Sequence, residues 1–307
     1  MPIMVEKVVM FGGSGFLGSR LTNILKDDYR IVLATRSEGK ISGIKNVEYT
    51  HYSDNIDSYL SIIEGAGIVV NFSGASIAGR RWNEEYKKVM HDSRINTTNL
   101  ISEAIGKCEN KPHTFVSTSA TGIYGDRGDE ILDESSANGV DYLANLCKDW
   151  ETSALKSIEY GVRTVCIRVG VVLDKKEGGF TKMAQPFRLF AGGPLGNGRQ
   201  YLPWIHVNDI VNIYKEAITC KSLSGIVNGT APNPVTNKEF SNTLGKVLKR
   251  PSIFSVPKFV LKIAVGEFAE FLTGSQRAIP KKLTDKGFRF EFKGIETALI
   301  NIVKQID

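Results

Sequence analysis

Histidine and cysteine are few, and their spacing suits no metal. The four histidines (His51, His91, His113, His206) form no HxH or HExxH pair, and the four cysteines (Cys108, Cys147, Cys166, Cys220) form no CxxC. A metal centre and a disulfide framework are therefore not expected, and the cysteines, standing on apolar stretches, read as buried free thiols. No apolar run approaches the roughly 20 residues that cross a bilayer, and no signal-peptide pattern precedes the first strand. The expectation is a cytoplasmic protein with no membrane partner. The 39 Lys and Arg exceed the 33 Asp and Glu, but they are spread along the chain and not interleaved with aromatics, so no nucleic acid partner is expected either. Hydrolase chemistry lacks its signature, because no serine sits in GxSxG.

What is present is organised around Val8 to Gly18, VVMFGGSGFLG. Val8 to Phe11 read as a short central parallel strand, apolar on both faces. Gly12, Gly13, Gly15 and Gly18 satisfy both GxGxxG and GxxGxxG, and Phe16, Leu17, Leu21, Ile24 and Leu25 continue at helical spacing. Strand, glycine turn and helix in that order make a dinucleotide-phosphate clamp, with Gly12, Ser14, Gly15, Phe16 and Leu17 as its candidate contacts. A second strand, Ile31 to Ala34, ends in Thr35, Arg36 and Ser37. An acid at such a strand end bonds the ribose 2′-hydroxyl of NAD, whereas an arginine accommodates the 2′-phosphate of NADP. Arg36 therefore points to NADP(H).

Further strands follow near Val47 to Tyr49, Gly67 to Phe72, Thr114 to Ser119 and Val165 to Val169, separated by helical patterns. The fold class read from this alternation is α/β, a Rossmann-type doubly wound parallel sheet, with a smaller and mostly helical C-terminal substrate lobe. The boundary is placed at residues 1–172 and 173–307. Ser73 and Gly74 after the fourth strand, Ser117 and Ser119 at the fifth and Arg168 on the sixth join the candidate cofactor or catalytic set. Asp54 reads as an adenine ligand or a helix cap, Asp209 as a cap, and Arg94 as a residue of the cleft or of the surface. The Gly- and Pro-rich stretch 174–203 reads as a substrate-facing lid. Gln185, Arg199, Tyr201, Trp204 and His206 would line a pocket for a small polar or anionic substrate.

GGSGFLG, Asn71 to Gly74, VSTSATGIYG and WIHVNDI together resemble the extended short-chain dehydrogenase/reductases. More closely, NFSGASIAGRRW, DSRINTTNL, SATGIYGDRGDE, LCKDWE, GGPLGNGRQYLPWIHVNDI and NGTAPNPVTNKEF resemble the atypical "epimerase family" group of NADP-dependent oxidoreductases. The resemblance also implies that group's own short C-terminal domain, at about 252–302. It implies a tyrosine acid/base, a lysine four residues later and a hydroxyl holding the substrate oxygen. Ser119 matches the hydroxyl and Tyr142 the tyrosine, but Leu146 stands where the lysine is expected. Three readings stay open: an NADP(H)-dependent oxidoreductase of atypical mechanism, a catalytically silent NADP(H)-dependent regulator related to cell division, and a nucleotide-sugar epimerase or dehydratase. The resemblance also allows a homodimer through the helices near 82–107 and 141–160.

Overall fold

The computed structural model describes residues 5–304. β1 (Lys7–Phe11) runs through the glycine turn into α1 (Phe16–Leu25), and β2 (Arg30–Thr35), β3 (Val47–His51), α2 (Ile56–Ile63), β4 (Ile68–Asn71) and the long α3 (Glu84–Lys107) follow. β5 (Thr114–Ala120) ends in a 3₁₀ turn, Thr121–Tyr124, ahead of β6 (Ile131–Leu132) and α4 (Tyr142–Leu155). Next come β7 (Arg163–Val169), β8 (Val171–Leu173), α5 (Gly179–Arg188), β9 (Tyr201–Leu202), β10 (Trp204–His206), α6 (Val207–Thr219) and β11 (Gly225–Gly229). The chain closes with β12 (Val235–Thr236), α7 (Asn237–Leu248), α8 (Lys258–Val265), α9 (Phe268–Thr273), β13 (Arg277–Ala278), α10 (Lys281–Asp285) and α11 (Ile295–Lys304).

Seven strands form one parallel sheet in the order β11-β7-β5-β4-β1-β2-β3. Alternation along each strand sorts its side chains between two helical layers. Val8 and Met10 of β1 join Leu21 and Leu25 of α1 and Ile210, Ile213 and Tyr214 of α6 on one face. Val9 and Phe11 join Tyr59 of α2 and Ile101, Ala104 and Ile105 of α3 on the other. A third cluster, around the fully buried Trp204, unites Phe180 and Phe187 of α5, Phe240 and Leu244 of α7 and Leu299 of α11.

The expected boundary at residue 172 does not describe the sheet. Its seventh strand, β11, comes from residues 225–229 and pairs with β7 through Ile226–Cys166 and Val227–Ile167. This strand is only GIVNG, too short and glycine-flanked to carry a clear period-two signal. The C-terminal segment is also stitched to the first half, since β13 pairs with β6 (Arg277 with Ile131, Ala278 with Leu132). Two expected helix caps move by a residue or more: Asn55 rather than Asp54 accepts the Ser58 amide, and His206 rather than Asp209 caps α6.

Candidate functional site

Strand order reverses between β1 and β4, and in doubly wound sheets that reversal opens a crevice at the carboxyl ends where ligands bind. Two backbone segments meet there. Gly12, at φ +71°, lies so close to the end of β4 that a Cβ on it would stand 3.0 Å from both the Phe72 carbonyl carbon and the Ser73 nitrogen. Its carbonyl accepts the Gly15 N–H at 3.0 Å, closing the turn. A Cβ on Gly18 would come within 2.5 Å of the Gly13 Cα, so helix and turn touch backbone to backbone. α1 starts at Gly15 with no side-chain cap and no acid in its first turn. Its leading amides, with Ser14 and Gly15 exposed in front of them, keep their positive potential for an anion. Phe16 and Leu17 turn their side chains to the core, so what they offer a ligand is main-chain N–H.

Across the turn, the Ser73 amide is held by Asn71 Oδ1 at 2.9 Å, while its buried hydroxyl has no partner in hydrogen-bonding geometry. The Tyr52 phenol is a polar neighbour but is not aligned for a bond, and a buried hydroxyl left so marks a place where a ligand atom can complete the set. Arg36 stands exposed just past β2 and makes no ion pair among the described residues. It faces Tyr52, whose phenol is pushed up by burial and pulled back by that guanidinium.

Ser119 and Tyr142 are each committed elsewhere. The Ser119 hydroxyl, fully buried, donates to Glu151 Oε1 at 2.7 Å. Glu151, from α4, takes a two-pronged bond from Arg168, Nε to Oε1 at 2.8 Å and Nη2 to Oε2 at 2.9 Å. Arg168 Nη1 donates to the Tyr124 hydroxyl at 3.0 Å, which in turn donates to Asn228 Oδ1 at 2.7 Å. All three guanidinium nitrogens are thus spent inside the protein, and Arg168 is a buried tie between β7, α4 and β11 rather than a cofactor ligand. Ser117 is likewise buried in mid-strand, opposite Asn71, with only a long 3.4 Å bond to the Thr118 carbonyl. Glu151 escaped the sequence reading, although Leu143, Cys147 and Trp150 on one face of its helix were a signal that position 151 also turns inward.

The Tyr142 hydroxyl donates to the Lys87 carbonyl at 2.8 Å, and its ring packs edge-on against Trp82. Burial raises its pKa, against the pull of Arg94 and Lys87. A working acid/base phenol needs the opposite shift.

Arg94 is neither at the surface nor ion-paired among the described residues. It is 8% exposed, donates to the Met90 carbonyl at 3.0 Å and the Ala75 carbonyl at 2.8 Å, and lies 5.0 Å from the centre of the Trp150 ring. With Ser93, whose hydroxyl accepts the Ala75 N–H at 3.0 Å, it fixes the loop after β4. Gly74 sits directly on the guanidinium, where a Cβ would be 3.0 Å from Cζ.

Of the expected substrate residues, Gln185 and Arg199 are exposed and Tyr201 is half-buried under the Arg277 guanidinium, 4.8 Å from its ring centre. Trp204 and His206 do not face a pocket. Trp204 donates its Nε1 hydrogen to the Asn233 carbonyl at 3.0 Å inside the third core cluster. His206 stacks on Phe292 with ring centres 3.8 Å apart, and burial drops its pKa to about 4. Neighbouring Asp209 accepts the Glu291 and Phe292 amides at 2.7 and 3.0 Å, and burial raises its pKa to about 6. Both residues clamp the C-terminal segment. The expected lid is rooted beside the glycine turn by the Arg20–Asp174 ion pair at 2.5 Å, and Lys182 of α5 reaches across to the Ala78 carbonyl at 3.1 Å.

Known proteins resemble this chain over nearly its whole length. The model of the NAD dependent epimerase/dehydratase family matches residues 8–228, and a domain of unknown function, DUF1731, matches residues 256–302. The chloroplastic SDR39U1 homolog of Arabidopsis thaliana, an epimerase family protein, is 40% identical over 303 residues, covering 97% of this chain and 86% of that one. Epimerase family protein YfhF of Bacillus subtilis is 36% identical over 297 residues, 96% of this chain and 97% of its own. Among solved structures, human epimerase family protein SDR39U1 (isoform 2), crystallised with NADPH, superposes with a TM-score of 0.87 at 31% identity, covering 97% of this chain and 99% of that one.

Proposed function

This chain belongs to the NAD dependent epimerase/dehydratase family, with the DUF1731 domain at its C-terminal end, and on that premise we propose that it is an NADP(H)-binding oxidoreductase of atypical mechanism acting on a small polar or anionic molecule. The observation that carries the cofactor half is the meeting of Gly12 with Phe72 and Ser73 beneath an uncapped helix start, with Arg36 exposed at the next strand end. These residues fit the group. The α1 amides and the Ser14–Gly15 corner would take the pyrophosphate, the Ser73 hydroxyl a ribose oxygen, and Arg36 the 2′-phosphate. The NADPH bound to the human relative supports the same assignment.

When bound, NADP(H) supplies a hydride. What the chain supplies is orientation: Arg94 and Ser93 hold the loop at 73–75 in place, and Lys182 of α5 is bonded to the Ala78 carbonyl further along the same loop. Proton transfer is the weak half. Tyr142 is bonded to a main-chain carbonyl and lacks a lysine at position 146, and Ser119 is bonded to a carboxylate. That pattern favours, as the second reading, a protein that binds NADP(H) without turning it over.

Parallel titrations with NADPH and NADH, followed by nicotinamide fluorescence and melting temperature, test the first half. Selective NADPH binding is the expected result; no binding of either would end the proposal. A carbonyl panel then separates oxidoreductase from silent binder by whether NADPH is consumed.

A further inference from the structure

Between Glu239 and Glu267 the chain contains no acid at all, yet it carries Lys246, Lys249, Arg250, Lys258 and Lys262. The same stretch exposes apolar side chains that a globular surface normally covers. Ile253 is 74% exposed, Phe254 53%, Phe259 67% and Ile263 71%. In α8, KFVLKIAV, only Leu261 is buried, so Phe259 and Ile263, one turn apart, project together from the outer side. Leu189 and Phe190, exposed just past the end of α5, adjoin the basic part of the stretch at Arg250. The Arg250 guanidinium lies 4.4 Å from the Phe190 ring centre, and the Phe254 amide donates to the Gly192 carbonyl at 3.2 Å.

We propose that this face, formed by residues 188–190 and 246–263, docks the protein peripherally on an anionic lipid surface. Exposed apolar side chains concentrated in one stretch of chain mark interaction sites, and the chemistry here selects the occupant. Aromatic and branched side chains enter the interface between headgroups and acyl chains, while lysine and arginine beside them meet lipid phosphates. Glu270 partly offsets this charge, pairing with Lys258 at 2.6 Å and Lys262 at 3.9 Å. Lys246, Lys249 and Arg250 have no acidic partner among the described residues. A second copy of the chain is a poor occupant, because a twofold contact would set one basic rim against another. No described helix is long and apolar enough to cross a membrane, so the contact is peripheral. The proposal departs from the expectation, read from composition, that no membrane is engaged.

The test is sedimentation of the full chain with vesicles of phosphatidylglycerol and phosphatidylcholine in equal parts, against vesicles of phosphatidylcholine alone. Binding to the anionic vesicles only, weakened by salt, is expected. Phe259→Ser with Ile263→Ser should cut the bound fraction about tenfold, as should Lys246→Glu with Lys249→Glu. Both variants should keep the wild-type melting temperature, since all four side chains are exposed or half-exposed at the surface. Equal partitioning of wild type and both variants, or no sedimentation with anionic vesicles, overturns the proposal. So does a wild-type dimer by light scattering that Phe259→Ser with Ile263→Ser makes monomeric, which would assign the face to a second copy.

Discussion

Ser119 donates its hydroxyl hydrogen to Glu151 across 2.7 Å, and Arg168 closes on the same carboxylate from the other side. The hydroxyl that family resemblance assigns to the substrate is thus part of a buried charge network. Ser119→Ala leaves Glu151 with Arg168 and should cost about 1.5–3 kcal/mol of stability, the size of a hydrogen bond to a charged group. Arg168→Met strands a buried carboxylate and should cost about 3–5 kcal/mol. Chemical denaturation of the two variants checks the order. An unstable Ser119→Ala beside a stable Arg168→Met would contradict the network.

Arg36→Ala should weaken NADPH binding by about tenfold or more, equivalent to roughly 1.5–3 kcal/mol for charge-assisted bonds. NADH affinity should barely change. Equal losses for both cofactors would remove Arg36 from the 2′-phosphate.

Gly12→Ala places a methyl group 3.0 Å from the Phe72 carbonyl carbon at a positive φ. The backbone conformation alone costs an L side chain about 1–3 kcal/mol, and the clash pushes β1 from β4 where the cofactor would lie. Loss of NADPH binding with a lowered melting temperature is expected, whereas an unchanged titration would show that this turn is not the phosphate site.

His206 and Asp209 give the C-terminal clamp two opposed pH dependences. The His206 pKa falls from 6.5 to about 4 on folding, so the unfolded chain binds the extra proton and stability is lost as pH drops through that window. The Asp209 pKa rises from 3.8 to about 6, so the folded chain holds the extra proton and stability is lost as pH rises from about 4 to 6. Each contribution is about 3 kcal/mol, and in the native chain they nearly cancel. His206→Gln should therefore melt at progressively lower temperature from pH 4 to 6, relative to wild type. Asp209→Asn should do the reverse. Parallel melting curves for all three proteins across that range would refute the assignment.

Tyr142→Phe removes one bond to the Lys87 carbonyl and should cost about 0.5–1.5 kcal/mol. NADPH affinity should stay within twofold. Once a substrate is found, retained turnover is expected, and its abolition would restore Tyr142 as the acid/base.

The sheet and its phosphate turn were legible because they rest on local patterns: apolar runs such as VVMF and GIVV, and glycines at fixed offsets. Arg36 was legible for the same reason, as a strand-end residue at a known distance from the turn. What stayed hidden depends on partners distant in sequence. Nothing within the strand VCIRV says that Arg168 meets Glu151, seventeen positions earlier, and Tyr124. Trp204 and His206 looked like cleft residues because flat and polar side chains serve both ligands and cores, and only the packing of α7 and α11 around them decides between the two. Resemblance to a family also carried Ser119 and Tyr142 further than their surroundings support.

The pairing of β11 with β7 and of β13 with β6 has a consequence for how this protein is made. While the ribosome is still adding the second half, the emerging first half carries two strand edges whose partners do not yet exist. Open edges of that kind recruit strands from other chains. The chain is therefore most exposed to aggregation and to chaperone capture during its own synthesis: a premature stop before β11 leaves the seven-stranded sheet without its edge strand, and one between β11 and β13 leaves β6 unpaired.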